Sequence, residues 1–306
     1  MNIGIGIDLG GTKIEGIIMD AQGRELVRKR VPTPGGDYDA TIAAVAGLVR
    51  GMEENLEQPS VPTTPVGIGI PGAVSQATGL VKNANSTCLI GRNLGHDLEQ
   101  AIGRPVRLAN DANCFTISEA VDGAGKGADV VFGVIIGTGV GGGVVGGDRL
   151  FTGANAITGE WGHKPLPWPR DDERSGPECY CGLGGCIETF ISGPALARDH
   201  RQSGGDDIAA IEIAERAKKG DEQAVRALDR YSERLARALA SVINILDPDV
   251  IVLGGGLSNI EMLYERVPEL WRRWVFSDEV LTRLAPNRHG DSSGVRGAAR
   301  LWDGTE

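Results

Sequence analysis

Positive charge is scarce in this chain of 306 residues, where 31 Lys and Arg face 41 Asp and Glu and leave a net charge of -10. Duplex nucleic acid is held largely by Lys and Arg neutralising phosphates, so the balance speaks against a nucleic-acid partner. Small anionic ligands stay open, because backbone amides bind phosphate without net positive charge. Long hydrophobic runs are missing as well. No stretch approaches the ~20 apolar residues of a membrane span. The start, "MNIGIGIDLGGTK", has neither a basic beginning nor the continuous apolar core of a signal peptide. Both absences predict a cytoplasmic protein with no membrane partner. Aromatic residues make up only 5% of a chain that is 41% hydrophobic, so the core is aliphatic, and the length suits two domains.

Cysteine is rare too, yet three of the five fall within eight residues, Cys179, Cys181 and Cys186. An odd cluster cannot close completely into disulfides. In a reducing compartment clustered thiols more often hold a metal than form bridges. Three thiolates still leave a tetrahedral zinc one ligand short.

What the chain has in excess is glycine, 46 residues without a collagen or low-complexity period. Ile3, Ile5, Ile7 and Leu9 alternate with glycine or polar residues, a Gly-Gly-Thr turn follows, and a second apolar run covers Ile14 to Met19, which predicts a strand hairpin. Helical spacing covers Asp39 to Leu56, ended by a proline-rich connector, "QPSVPTTPV". Strands are expected at Val66 to Ile70 and Val106 to Leu108, with a helix opening at "NDANC". From Val130 the opening pattern returns, a strand, a Gly-Thr-Gly turn and a second glycine-laced strand. A separation of about 130 residues suggests two related halves. Helices follow at Asp207 to Lys219 and Glu222 to Leu246, the latter stopped by Pro248. "VIVLGGGLSNIEMLYERV" then reads as a buried strand running through glycines into a helix, the habit of α/β proteins. "RDDERSGPE" reads as a mobile loop.

The glycine turns suggest chemistry. "DLGGTK", Asp8 to Lys13, joins a strand-end carboxylate to the bare backbone of Gly10 and Gly11, the Thr12 hydroxyl and the Lys13 ammonium. That set could cradle a triphosphate, with Asp8 holding magnesium directly or through water; the alternative is a plain tight turn. Gly137, Thr138 and Gly139 offer a second such turn. Gly254, Gly255 and Gly256 could let a planar adenine lie close to the backbone. No segment supplies the Gly-Lys-Ser/Thr ending of a P-loop, and the two G-x-G-x-x-G matches, from Gly67 and Gly137, do not clearly open a helix in a βαβ unit. Asp111, beside Asn110 where a strand meets a helix, is either a helix N-cap or a general base for a sugar hydroxyl attacking a γ-phosphoryl group. Upstream of the cysteines, His163 sits on a glycine-flanked turn with Glu160 and completes a Cys3His set.

"DLGGTK", "GTGVGGG", "GEWGH" and "CYCGLGGCIE", in this order, resemble the ROK family of sugar kinases nearly end to end. The resemblance implies an actin-like, ribonuclease H-type fold of two α/β domains with ATP and sugar between them, expected at 1–112 and 113–288, with 289–306 returning as a helix to the first. It implies ATP, Mg2+ and a structural Zn2+, and a homodimer. It makes Asp111 the base and Asn110, Asp111, Glu160, His163 and Glu188 sugar contacts, with Gly72 and Asn85 beside them. His163, Cys179, Cys181 and Cys186 hold the zinc, and the glycine turns hold ATP. "VKNANST", "RLANDANC", "EWGHKPLPW" and "HGDSSGVRGAA" look most like bacterial fructokinases making fructose 6-phosphate, with N-acetylglucosamine kinases sharing several of these stretches and glucose or mannose kinases also in view. Some members of the family are sugar-responsive repressors with an N-terminal winged helix. Here the first phosphate-binding strand starts at Ile3, which leaves no room for one and favours the enzyme.

Overall fold

The computed structural model describes residues 3–56, 64–84, 86–147 and 149–303, so most of the proline-rich connector and Asn85 lie outside the described residues. The chain divides into two compact units, one made of Met1–Lys126, Asp148–Thr158 and Asp291–Glu306, the other of Gly127–Gly147 and Gly159–Gly290.

In the first unit β1 (Ile3–Leu9), β2 (Lys13–Asp20) and β3 (Glu25–Pro32) form an antiparallel meander, and β4 (Val66–Ile70) pairs parallel to β1. Two short strands, β5 (Ala73–Val74) and β6 (Val81–Lys82), make a separate hairpin. With β7 (Val106–Asn110) parallel to β4, the sheet order is β3-β2-β1-β4-β7. The alternation of isoleucine with glycine in β1 has a packing cause. Ile5, Ile7 and Ile68 face a core shared with Val45, Val49 and Met52 of α1 (Tyr38–Glu53). The opposite face lies against the C-terminal helix Ser293–Ala299, where a Cβ on Gly6 would meet the Val295 carbonyl oxygen at 2.3 Å and one on Gly67 the Ala298 oxygen at 1.9 Å. Helix α1 begins after Asp37, whose carboxylate accepts the Ala40 amide at 3.0 Å, and ends at Glu53, short of the expected Leu56. Helices α2 (Leu94–Ile102) and α3 (Asp111–Val121) complete this unit, while the short strand β10 (Arg149–Leu150) is the edge strand of the sheet ordered β10-β9-β8-β11-β12.

The second unit repeats the theme. The hairpin β8 (Val130–Ile136) and β9 (Val140–Gly146) is followed by β11 (Val250–Gly254), parallel to β8, and β12 (Arg283–Pro286), parallel to β11. Helices α4 (Glu188–Ile191), α5 (Gly193–Gln202), α6 (Ala210–Lys218), α7 (Glu222–Leu246) and α8 (Leu263–Trp271) cover it. Helix α6 starts three residues later than the spacing predicted. Helix α7 opens at Asp221, whose carboxylate accepts the Gln223 and Ala224 amides, and buries Leu228, Tyr231, Leu235, Leu239 and Val242. It stops where Asp247 turns left-handed, φ 47°, ahead of Pro248. After β11 the glycines lead into a 3-10 turn, Gly256–Asn259, and the helix proper waits until Leu263.

"RDDERSGPE" is anchored and not a free loop. Glu173 is buried and receives Arg234 Nε at 2.8 Å and Arg237 Nη2 at 2.8 Å, both from α7. No helix among the described residues is long and apolar enough to cross a membrane.

Candidate functional site

Because β1, β4 and β7 run parallel, their C-terminal ends share one edge of the first sheet, the edge where open α/β sheets bind ligands. Asp8, Gly72, Asn110 and Asp111 all fall there. Asn110 is the N-cap of α3, its side-chain oxygen accepting the Ala112 amide at 2.9 Å, and its amide nitrogen donates to the Gly72 carbonyl at 3.1 Å. Asp111 is therefore the first helical residue, exposed, with one carboxylate oxygen 2.8 Å from the Ala112 nitrogen. The capping alternative considered for Asp111 belongs to its neighbour.

Asp8 is pushed up to about 6, first by burial, then by the negative charges of Asp111 and Glu15, with Lys13 opposing. One turn into α3, burial holds the Cys114 thiol well above its ordinary range, and Asp8 and Asp111 add to this. These carboxylates crowd one another where a divalent cation would relieve them, so the donor set fits magnesium.

In the "DLGGTK" turn the Gly10 amide donates to the Lys13 carbonyl at 3.0 Å, and Thr33 Oγ1 donates to the Gly10 carbonyl at 2.7 Å. Gly11 borders a cavity of about 450 Å³ lined also by Thr33, Thr41, Ser86 and Thr87. Thr12 is exposed on this turn. Lys13 places its ammonium 3.9 Å from the buried Glu15 carboxylate, which Arg28 and Arg30 also hold, at 2.6 and 2.9 Å. Thr33 gave no sequence signal, since it reaches the turn only through the pairing of β3 with β2.

In the second unit the Gly137 amide donates to the Gly139 carbonyl at 3.0 Å, with Thr138 exposed at the tip. The loop Gly254 to Gly256, at the C-terminal end of the neighbouring parallel strand, abuts this turn. Gly255 has φ 81°, and a Cβ there would lie 2.4 Å from the Ile136 carbonyl oxygen. Glu188, expected near sugar, accepts the Val140 amide at 2.8 Å and so braces the Gly137 turn.

The four expected metal donors do converge, all within 4.8 Å of one another. His163 ends a 3-10 turn, Trp161–His163, that Glu160 precedes. Antiparallel bridges Pro165 to Cys186 and Glu178 to Gly184 fold the cysteine loop back onto it. His163 Nδ1 lies 3.5 Å from Cys179 Sγ, and Cys181 Sγ lies 3.6 Å from Cys186 Sγ. Tetrahedral zinc with ordinary bond lengths needs about 3.5 Å between nitrogen and sulfur and about 3.8 Å between sulfurs, so the set fits zinc. Burial pushes the Cys179 and Cys186 thiols up, whereas a backbone hydrogen bond involving Leu183 draws Cys181 down. The outer nitrogen of His163 is 2.9 Å from the Tyr180 hydroxyl, a second partner the sequence did not suggest.

Two α/β units, each with a strand hairpin leading into parallel strands and glycine turns at their C-terminal ends, define the actin-like, ribonuclease H-type fold. The chain belongs to the ROK family, whose profile matches residues 4–305. It is 38% identical to an N-acetyl-D-glucosamine kinase of Photobacterium profundum over 97% of this chain and 98% of that one, and relatives at 37–39% identity bear the same name. Among solved structures it is similar to a ROK hexokinase from Thermus thermophilus, with TM-score 0.85, 33% identity and 97% of each chain covered. It is likewise similar to a ROK glucokinase from Streptomyces griseus in complex with glucose and AMPPNP, with TM-score 0.78, 31% identity and 98% and 99% covered.

The N-acetylglucosamine kinase relatives overturn the expected fructokinase. Within His163 to Trp168, His163 completes the metal set and the Trp168 ring stacks on Trp274 at 6.4 Å, while Lys82 merely pairs with Ala73.

Proposed function

We propose that the protein is an ATP-dependent kinase of N-acetyl-D-glucosamine, transferring the γ-phosphoryl group to the sugar's 6-hydroxyl. The identity of 37–39% to N-acetyl-D-glucosamine kinases across 97% of the chain carries this reading. Asp111 acts as the base, its carboxylate charge favoured by the N-terminus of α3. As the hydroxyl oxygen bonds to the γ-phosphorus and the bond to the β,γ-bridging oxygen breaks, Asp111 takes the hydroxyl proton and ADP leaves. Asn110, tied to Gly72 and Ala112, keeps that carboxylate in place. Backbone amides of the Gly10–Lys13 and Gly137–Gly139 turns receive phosphate oxygens, and Gly254 to Gly256 lie beside the adenine. Magnesium, when bound by Asp8 directly or through water, supplies charge neutralisation at the phosphates. Zinc, when bound by His163, Cys179, Cys181 and Cys186, supplies a structural tie between the Glu160 turn and the start of α4 at Glu188.

An ADP-release assay over N-acetylglucosamine, N-acetylgalactosamine, N-acetylmannosamine, glucose and fructose tests it. N-acetylglucosamine is expected to give the highest kcat/KM, by about tenfold or more over the unmodified hexoses, since a pocket built for the amide loses its partner otherwise. Glucose or fructose leading by that margin would sink the substrate assignment.

A further inference from the structure

A second cavity, of about 700 Å³, is walled entirely by residues of the first unit. They come from the edge strand β7, the hairpin strand β5, helix α3, the stretch 149–156 and the C-terminal residues Arg300, Leu301 and Asp303. The cavity begins at Asn110 and follows β7 back to Arg107, away from the edge where Asp8, Gly72 and Asp111 stand, and none of those three lines it. Its volume is that of a small-molecule site.

The charges on these walls do not balance. Arg300 is held by Asp122 at 2.7 Å and by Asp303 at 3.3 Å, and Arg296 shares Asp122 at 2.8 Å, so that these two arginines and two aspartates cancel. Asp303 is the one acid among the described residues of the wall. Arg107 and Arg149 line the same cavity, and neither has a carboxylate partner among the described residues. Arg107 is held in place, its Nη1 donating to the Leu301 carbonyl at 2.7 Å and its guanidinium lying over the Trp302 ring at 4.1 Å. A guanidinium carries five N–H donors, so most of those on Arg107 stay open to a ligand. Two unmatched guanidiniums suit a dianion. A phosphate monoester, with a charge of about -1.5 to -2 near neutrality, meets that demand, whereas a carboxylate would answer only one of them. Gln76 and Thr152 offer polar groups to the rest of such a molecule. Asn113, also on the wall, keeps a buried side-chain oxygen without a hydrogen-bond partner among the described residues, an acceptor that a ligand hydroxyl would satisfy.

The same walls touch the helix of the base. Asn110 caps α3, Asp111 is its first residue, and Ile117 and Val121 bring its later turns to the cavity. A molecule seated here bears on both ends of the helix that carries Asp111.

We propose that this cavity is a regulatory site for a sugar phosphate, the class of molecule that a sugar kinase releases, and that filling it slows turnover. Arg107 and Arg149 receive the phosphate, and the sugar lies along α3. The inference rests on the sugar-kinase reading and not on which sugar is used. Occupancy and rate are coupled through α3, and the coupling is reciprocal for binding.

Calorimetric titration of the full chain tests it, with the active site filled by a non-hydrolysable ATP analogue and whichever sugar leads the ADP-release assay. The probes are the 6-phosphate of that sugar and inorganic phosphate, so a wrong substrate assignment is read in the assay and leaves this result intact. One sugar phosphate is expected to bind per chain, with inorganic phosphate at least about tenfold weaker for want of the sugar contacts. Arg149→Glu and Arg107→Gln are each expected to weaken it by about tenfold or more. Added sugar phosphate should lower the wild-type kcat at saturating substrates by about twofold or more and leave that of Arg149→Glu unchanged, while the two proteins turn over alike in its absence. No binding beside the filled active site, binding that survives Arg149→Glu, inorganic phosphate binding as tightly, or binding that leaves kcat unchanged would each overturn the proposal. Should Arg107→Gln loosen the C-terminal segment in thermal melts, Arg149→Glu decides alone, because Arg149 is exposed.

Discussion

Asn110 donates its side-chain amide to the Gly72 carbonyl at 3.1 Å while its side-chain oxygen caps α3, so one residue locks the end of β4 to the start of the helix that carries Asp111. The two neighbours are therefore separable by mutation. Asp111→Asn keeps the cap, the fold and the shape, and is expected to lower kcat by roughly 10² to 10⁴ without any loss of melting temperature. Asn110→Ala removes the cap and is expected to cost about 1 kcal/mol of stability. Steady-state kinetics and thermal melts of the two variants check this; near-normal turnover of Asp111→Asn would remove the base from Asp111.

Asp8 carries a cost in the metal-free protein. Its carboxyl is raised to about 6 from an ordinary 3.8, so the folded state binds the proton more tightly than the unfolded chain. The destabilisation is absent below about pH 3.8, grows between there and 6, and is complete above, on the order of 2–3 kcal/mol. Asp8→Asn should thus raise the melting temperature at neutral pH without magnesium and abolish turnover. An unchanged melting temperature would show that Asp8 is not crowded.

How much of this was legible follows from how local each cause is. Gly255 and the Gly137 turn announce themselves because bare backbone is a property of the residues in place, and the cysteine loop because its ligands lie close in sequence. Glu173 gave no such signal. Its arginines stand about 60 positions away on α7, where a charge among leucines looks like a solvated face, and an acidic "RDDER" looks like a loop in water. The cavity beside Gly11 stayed hidden for the same reason, since Thr33, Thr41, Ser86 and Thr87 line it from separate stretches of the chain.

The buried pair at Glu173 makes a prediction about acid. Hydrogen bonds from Arg237 and Arg234 outweigh burial and hold its carboxyl down at about 2, against an ordinary 4.5. Its contribution is present above about 4.5 and is lost as pH falls through 2. Glu173→Gln leaves Arg237, only 2% exposed, without its counter-charge and is expected to cost about 3 kcal/mol near neutrality. Urea midpoints from neutral pH down to about pH 3 should fall for wild type in the acid limb and fall less steeply for the variant; parallel curves would contradict the pairing.

The Cys181→Ser variant should lose zinc by elemental analysis, stay folded on its own large core, and raise the sugar KM more than the ATP KM. Tyr180→Phe removes the partner of the outer His163 nitrogen, and is expected to weaken zinc affinity by about tenfold without abolishing it. A wild type without zinc, or a zinc-free variant with normal sugar kinetics, would refute the positional role.

Gly255 offers the sharpest test of the nucleotide side. Its φ of 81° favours glycine, and a Cβ would stand 2.4 Å from the Ile136 carbonyl oxygen, backbone that cannot swing aside as a side chain would. Gly255→Ala must then either strain its own residue or push the glycine loop off the end of β8, at roughly 1–3 kcal/mol. Because the displaced loop is the one assigned to adenine, the ATP KM should rise about tenfold or more while the sugar KM changes little. Equal effects on both substrates would mean that the substitution loosens the whole unit, and an unchanged ATP KM would move the adenine elsewhere.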